Sequence, residues 1–163
     1  MNKITLACPA KINLNLSVLR KKIEGMHEIN SQFQLINLFD EMKIEKTNSK
    51  LLHVSTNIGS SINGEKNIVY QAVSELSKYV GRQVYCNISI KKNIPLGGGL
   101  GGGSSNGAAI INFLCSNYEL SMPSYIDVVK HVGSDVPFFI NKQPATISGI
   151  GENIVNLKFG AQD

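Results

Sequence analysis

Between Pro95 and Gly107 the chain sets Gly97, Gly98, Gly99, Gly101, Gly102, Gly103 and Gly107 within thirteen residues, together with Ser104, Ser105 and Asn106. Glycine loses more backbone freedom on folding than any other residue, so this density is kept where the chain must approach something closely. The flanks show what the segment joins. Val84, Cys86, Ile88 and Ile90 alternate with Tyr85, Asn87 and Ser89, the period of a half-buried strand. After the glycines, Ala108, Ala109, Ile110, Ile111, Phe113 and Leu114 run without a breaker, as in a well-buried helix. Strand, glycine loop, helix is the predicted order, and flanks this strong argue against a flexible linker. Where the helix begins, near Ser104, Ser105 and Asn106, free backbone N–H groups, the positive end of the helix dipole and two hydroxyls would converge, which suits a phosphate.

Several phosphate loops share glycine richness. A Walker A loop requires Gly-Lys-Ser/Thr, but Gly103 leads directly into Ser104 with no lysine in the run. Neither a catalytic-loop signature of protein kinases nor Asp-Phe-Gly follows. Gly97, Gly99 and Gly102 satisfy G-x-G-x-x-G, but a dinucleotide fold also needs an acidic residue closing the next strand, and Glu119 follows a helix instead.

At 163 residues and 42% hydrophobic content the chain suffices for one domain with a core, and charged residues, at 17%, are too few for a disordered chain. A net charge of +4 suits a phosphorylated small molecule. Arg20-Lys21-Lys22 lacks the interleaved aromatics of an RNA patch, so nucleic acid is disfavoured as a partner. Cys8, Cys86 and Cys115 are odd in number and never form C-x-x-C, which points to a reducing, cytoplasmic setting and away from disulfides or zinc. The N-terminal apolar patch, interrupted by Thr5, Pro9 and Lys11, is too short for a signal peptide or a membrane span.

In chain order, Ile12, Leu14, Leu16 and Val18 alternate with Asn13, Asn15 and Ser17, predicting a strand with one wet or functional face and Lys11 at its entrance. Strands near Phe33–Asn37, Met42–Ile44 and Leu51–Ser55 complete an expected early antiparallel sheet. Residues 57–66 read as a loop. Ile68, Ala72, Leu76 and Val80 recur at helical spacing until Gly81, and a short helix opens at Ser121 and Pro123 and runs to Val132. The mixed order gives an α+β class.

These residues resemble the GHMP kinase superfamily, named for galactokinase, homoserine kinase, mevalonate kinase and phosphomevalonate kinase. Pro95-Leu96-Gly97-Gly98-Gly99-Leu100-Gly101-Gly102-Gly103-Ser104-Ser105-Asn106 is similar to its phosphate loop. Within the superfamily the pattern looks like the 4-diphosphocytidyl-2-C-methyl-D-erythritol kinase family of non-mevalonate isoprenoid biosynthesis. Pro9-Ala10-Lys11-Ile12-Asn13-Leu14 resembles that family's opening. Gly25-Met26-His27 stands where the family has Gly-Tyr-His, with Phe33, Leu38 and Asp40 downstream. Asn67-Ile68-Val69, Gly133-Ser134-Asp135-Val136-Pro137-Phe138 and Gly149-Ile150-Gly151-Glu152 resemble further family segments. Met26 replaces an aromatic that stacks on cytosine; a thioether still packs against a ring.

The resemblance implies a mixed sheet packed with helices, like domain 2 of ribosomal protein S5, with residues 1–163 as an N-terminal ATP-binding domain and the family's second domain absent from this sequence. It implies ATP and magnesium as cofactors and a small-molecule substrate carrying a cytidine diphosphate group. By the same resemblance, residues 95–105 would wrap the ATP phosphates, Lys92 would lie near the nucleotide and Asn67, Ile68 and Val69 would line the adenine side. Asp135 would accept or orient the substrate hydroxyl proton, Lys11 would stabilise developing charge, and Asn13, Met26 and His27 would contact substrate. Taken alone, without the resemblance, Asp135 reads as a helix cap and Lys11 as a surface lysine. His53 and His131 read as structural. A nucleotide-binding module without turnover, a GHMP kinase of another specificity and a nucleic-acid-binding domain are the alternatives.

Overall fold

A computed structural model of the chain describes residues 3–21, 27–59, 64–117, 126–149, 151 and 153–157. Six strands form one mixed sheet: β1 (Lys3–Lys21), β2 (His27–Lys46), β3 (His53–Thr56), β4 (Cys86–Lys91), β5 (Ala145–Gly149) and β6 (Asn153–Asn156). The helices are α1 (Ile68–Tyr79), α2 (Gly102–Asn117), α3 (Ile126–Val132) and α4 (Val136–Asn141). The α+β class and the mixed sheet packed with helices are what the sequence predicts.

The sheet is organised on β2, which merges the two predicted strands near Phe33–Asn37 and Met42–Ile44 into one element. Its whole length pairs antiparallel with β1, while its other edge is shared by β4, opposite Glu41–Lys46, and β5, opposite Ile29–Phe33. Residues 34–40 thus face a gap between β4 and β5. Across from that gap the β1–β2 register shifts between Pro9 and Ala10, whose partners are Phe39 and Ile36. Such an irregularity bends the strand and re-aims the side chains beside it. Lys11 and Asp40 lie next to this one.

The expected early antiparallel sheet needs one correction. β3 pairs with β4 in parallel, not with β2, so α1 is the crossover of a β-α-β unit. A parallel pair requires such a connection, and the helical run Ile68–Tyr79 supplies it.

Helices cover one face of the sheet. Cys86, Ile88 and Ile90 of β4 point into the core with Met42, Ile44 and Val54, against Val69, Val73 and Leu76 of α1 and Ile110 and Ile111 of α2. Asn87, Ser89 and Lys91 face out. The pattern differs in β1 beyond Ile12. There Leu14, Leu16 and Val18 are more than half exposed, so the predicted apolar face of this strand is open, because no described element packs over it. The predicted helix opening at Ser121 and Pro123 lies outside the described residues. No helix is long and apolar enough to cross a membrane among the described residues.

Candidate active site

α2 begins at Gly102, inside the glycine run, slightly before the Ser104–Asn106 start that the sequence suggested. Gly101, at φ 70°, is the turn that allows this: a left-handed residue redirects the chain, and the Ser105 N–H then bonds the Gly101 carbonyl at 2.8 Å as the first helical link. A Cβ at Gly101 would stand 2.7 Å from the Phe139 ring and 3.2 Å from Lys11 Cγ, so no other residue fits without displacing both. Gly97 and Gly99 also have positive φ, but open space surrounds them. The loop, Ile68 and Lys92 enclose a cavity of about 260 Å³.

A polar cluster forms around Lys11, which packs against the loop at Leu100 and Gly101. Lys11 donates its backbone N–H to the Leu100 carbonyl at 2.9 Å, joining β1 to the loop. Its side chain is buried, contrary to the surface-lysine reading, with Nζ 4.0 Å above the Phe33 ring. Nζ donates to Asn13 Oδ1 at 2.5 Å and lies 3.8 Å from Asp135 Oδ2. Burial lowers the Lys11 pKa from its usual range, and the Asp135 carboxylate partly opposes that shift. Asn13 in turn donates to Ser31 Oγ at 3.1 Å, and buried Ser31 donates to the Asn15 carbonyl. Beneath Lys11, Phe33, Phe138 and Phe139 stack edge to face with centroids 5.2 and 5.1 Å apart. This apolar floor keeps water from one side of the ammonium.

Asp135 occupies the N-cap position of α4 but makes no side-chain capping bond, and Pro137 follows within the first turn. A carboxylate at that position usually bonds an N–H of the first turn. Here it faces Lys11 instead and is one-third exposed, reachable from solvent.

The remaining predicted residues divide. Asn67 caps α1, its Oδ1 accepting the Val69 N–H at 2.8 Å, and Val69 is wholly buried in the core; Ile68 alone of the three lines the loop cavity. Lys92 lines it too, but its Nζ is bonded to the buried carboxylate of Asp40 and to Asn106 Oδ1 at 3.0 Å. Ser104 is half-buried, and among the described residues Ser105 Oγ is the buried polar side-chain atom without a hydrogen-bond partner. His27 opens β2, while Met26 lies outside the described residues. Sequence reasoning named Asp40 and Asn106 within motifs but gave Asp40 no role, and it missed Phe139, an apolar residue that no local signal sets apart.

Among the described residues no cluster of three His, Cys, Asp or Glu side chains could hold a metal ion. A larger cavity, about 470 Å³, lies at the other end of β4 between Ile4, Ile44, Val84 and Phe113. It includes none of Lys11, Asp135, Lys92 or the glycine loop, whereas the smaller cavity is bounded by the loop itself.

Residues 67–143 match the family model described as GHMP kinases N terminal domain. The chain is 44% identical over 159 residues to 4-diphosphocytidyl-2-C-methyl-D-erythritol kinase of Fervidobacterium nodosum, covering 96% of this chain and 55% of the relative. It is 38% identical over 154 residues to the kinase of the same name from a Sulfurihydrogenibium species, covering 93% and 55%. A crystal structure of 4-(cytidine 5'-diphospho)-2C-methyl-D-erythritol kinase superposes with a TM-score of 0.80 at 30% identity, over 96% of this chain and 56% of that one. The Methanococcus jannaschii mevalonate kinase, at 15% identity and a TM-score of 0.69 over 97% and 56%, shares the fold. The chain thus spans about half the length of the curated relatives it matches.

Proposed function

From a chain that carries the N-terminal domain of the GHMP kinases, we propose a site in which the glycine loop holds the phosphates of ATP and Lys11 and Asp135 serve phosphoryl transfer to an alcohol. The observation that carries this reading is the junction at Lys11. Its backbone N–H is tied to the loop at Leu100, and its ammonium faces the Asp135 carboxylate across 3.8 Å. Loop, cation and carboxylate meet at one point, which is what transfer requires: phosphate held, charge offset, acceptor oriented.

The names of the relatives support 4-diphosphocytidyl-2-C-methyl-D-erythritol as the acceptor; its 2-hydroxyl is the group we assign to the transfer, as a step of non-mevalonate isoprenoid precursor synthesis. The loop fits a phosphate chain, since the N–H groups opening α2 and the hydroxyl of Ser104, which lines the loop cavity, offer donors there. Ile68 supplies an apolar wall for adenine, with Asn67 and Val69 fixing the start of α1 behind it. Asp135 orients the hydroxyl and takes its proton as the oxygen attacks the γ-phosphorus and the bond to the β-phosphate oxygen breaks. Lys11 offsets the charge that develops, and Asn13, with Ser31 behind it, holds the ammonium in place. Met26 and His27 belong to the cytidine end. Magnesium would accompany ATP and supply further charge neutralisation; among the described residues no acidic cluster would hold it independently. The reaction is cytoplasmic, a setting in which three buried thiols stay reduced.

A coupled ADP-release assay with magnesium, ATP and the diphosphocytidyl substrate, run on wild type and Asp135→Ala, tests the proposal. The expected result is substrate-dependent turnover that falls at least about 100-fold in the variant. Equal turnover in both would overturn the role of Asp135. ATP binding without ADP release would restrict these residues to nucleotide binding without turnover.

A further inference from the structure

Asp40 is fully buried on β2, and its carboxylate is saturated by groups from two other places in the chain, residues 92–94 and Asn106. Oδ1 accepts the backbone N–H of Asn93 at 2.8 Å and of Ile94 at 2.9 Å, where the chain leaves β4. Oδ2 accepts from the Lys92 ammonium and from Asn106 Nδ2 at 3.1 Å. Lys92 Nζ also donates to Asn106 Oδ1 at 3.0 Å, closing a triangle of one acid, one base and one amide that is almost wholly hidden from solvent. A Cβ on Gly102 would lie 3.1 Å from Lys92 Nζ, so the ammonium sits directly against the first residue of α2.

The arrangement has a direction. Residues 92–94 are the entry to the glycine loop and Asn106 lies in the helix at its exit. One carboxylate therefore holds both ends of the loop together, in the gap where β2 has neither β4 nor β5 beside it. Between those ends the loop has two further backbone anchors, Lys11 N–H to Leu100 and Ser105 N–H to Gly101. Glycines do not hold a shape by themselves, so the spacing of the ends decides whether the loop N–H groups converge. Lys92, placed near the nucleotide by resemblance, has its ammonium committed to this triangle.

We propose that Asp40 is a positioning residue for the phosphate loop: through Lys92, Asn106 and the two N–H groups it fixes the loop in the shape that receives ATP, without touching ATP itself. The inference rests on the reading of the loop as the ATP site. An isosteric Asp40→Asn change keeps an acceptor for the Asn93 and Ile94 amides but turns an N–H₂ toward the Lys92 ammonium and Asn106 Nδ2. Donor then meets donor, and a buried ammonium loses its counter-charge. Moving the acid across the contact repairs this. In Asp40→Asn/Asn106→Asp, residue 40 still accepts both amides and donates to residue 106, whose carboxylate accepts from Lys92.

The test uses the 163-residue chain in wild-type, single and double variants, with ATP affinity by calorimetry well below each melting temperature and hydrogen exchange of the amides in 95–105. In Asp40→Asn, ATP affinity falls at least 10-fold and the loop amides exchange at least 10-fold faster. The double variant returns both to within about threefold of wild type. An Asp40→Asn protein that melts lower yet binds ATP as wild type does, with unchanged loop exchange, overturns the inference and leaves the ATP site standing. A double variant no better than the single overturns it as well. A folded wild type that gives no ATP binding removes the reading of the loop, and the inference with it.

Discussion

Gly101→Ala is the substitution at which loop, core and candidate lysine are all strained together. The new methyl would stand 2.7 Å from the ring of Phe139, which is 1% exposed and cannot swing into solvent. A non-glycine residue at φ 70° costs about 1–2 kcal/mol. Overpacking a closed core adds about 1–3 kcal/mol. The sum, about 2–5 kcal/mol, is a large share of the roughly 5–15 kcal/mol that holds a domain together. Gly97→Ala isolates the first contribution, because Gly97 has φ 73° and nothing within 4 Å of the added methyl. Urea unfolding should then place Gly97→Ala about 1–2 kcal/mol below wild type and Gly101→Ala at least about 1 kcal/mol below that. In melting temperature the gap is a few degrees, at roughly 2–4 °C per kcal/mol for a chain of this size. If Gly101→Ala is no worse than Gly97→Ala, the packing of the loop on Phe139 is not as described.

Other outcomes follow from single contacts. Lys11 has its pKa lowered chiefly by burial, so between that lowered value and the ordinary 10.5 the unfolded chain binds more protons, and stability should rise with pH relative to Lys11→Met. In Asp135→Asn the NMR-titrated pKa of Lys11 should fall further, since the lost carboxylate was raising it; no change would mean the two do not interact. Burial raises Cys8, Cys86 and Cys115 to about 11, so an aromatic disulfide reagent at pH 8 should label none in the native chain and three after unfolding. Asn67→Ala should remove the cap of α1 and lower stability by about 1 kcal/mol in urea, whereas an unaffected protein would deny the cap its role.

Local pattern made much of the fold legible. The alternation of Cys86, Ile88 and Ile90 marks β4, the spacing of Ala72 and Leu76 marks α1, and the apolar run after Gly107 marks α2, because each buries one face or nearly all of its surface. What was not legible depends on partners distant in sequence. Nothing local distinguishes parallel pairing of His53–Thr56 with β4 from antiparallel pairing with β2. β5 and β6 are short strands whose existence depends on the free edge of β2, and α4 is a six-residue helix, Val136–Asn141, with Pro137 in its first turn. Leu14, Leu16 and Val18 carried the signature of burial and are exposed, since periodicity marks a face without saying what covers it. At the site, the loop was legible from its glycine density and flanks, Lys11 and Asp135 came from motif resemblance, and the fold brings Lys11 against both the loop and Asp135. Asp40 could not be read as their support, because its partners, Lys92 to Ile94 and Asn106, lie more than fifty residues away.

The most direct test of the central claim, that the loop opening α2 receives the phosphates of ATP, is calorimetry of ATP binding with magnesium to wild type and Gly103→Asp. Gly103 is exposed, its φ lies outside the left-handed region, and a Cβ there would meet only Ile68 Cγ2 at an ordinary 3.7 Å. A carboxylate in the first turn of a helix is mildly stabilising, by about 0.3–1 kcal/mol, so the variant should melt no lower than wild type. A negative charge at the mouth of an anion site should nonetheless weaken ATP binding at least about 10-fold. Wild-type affinity in Gly103→Asp, with the fold intact, would contradict the account.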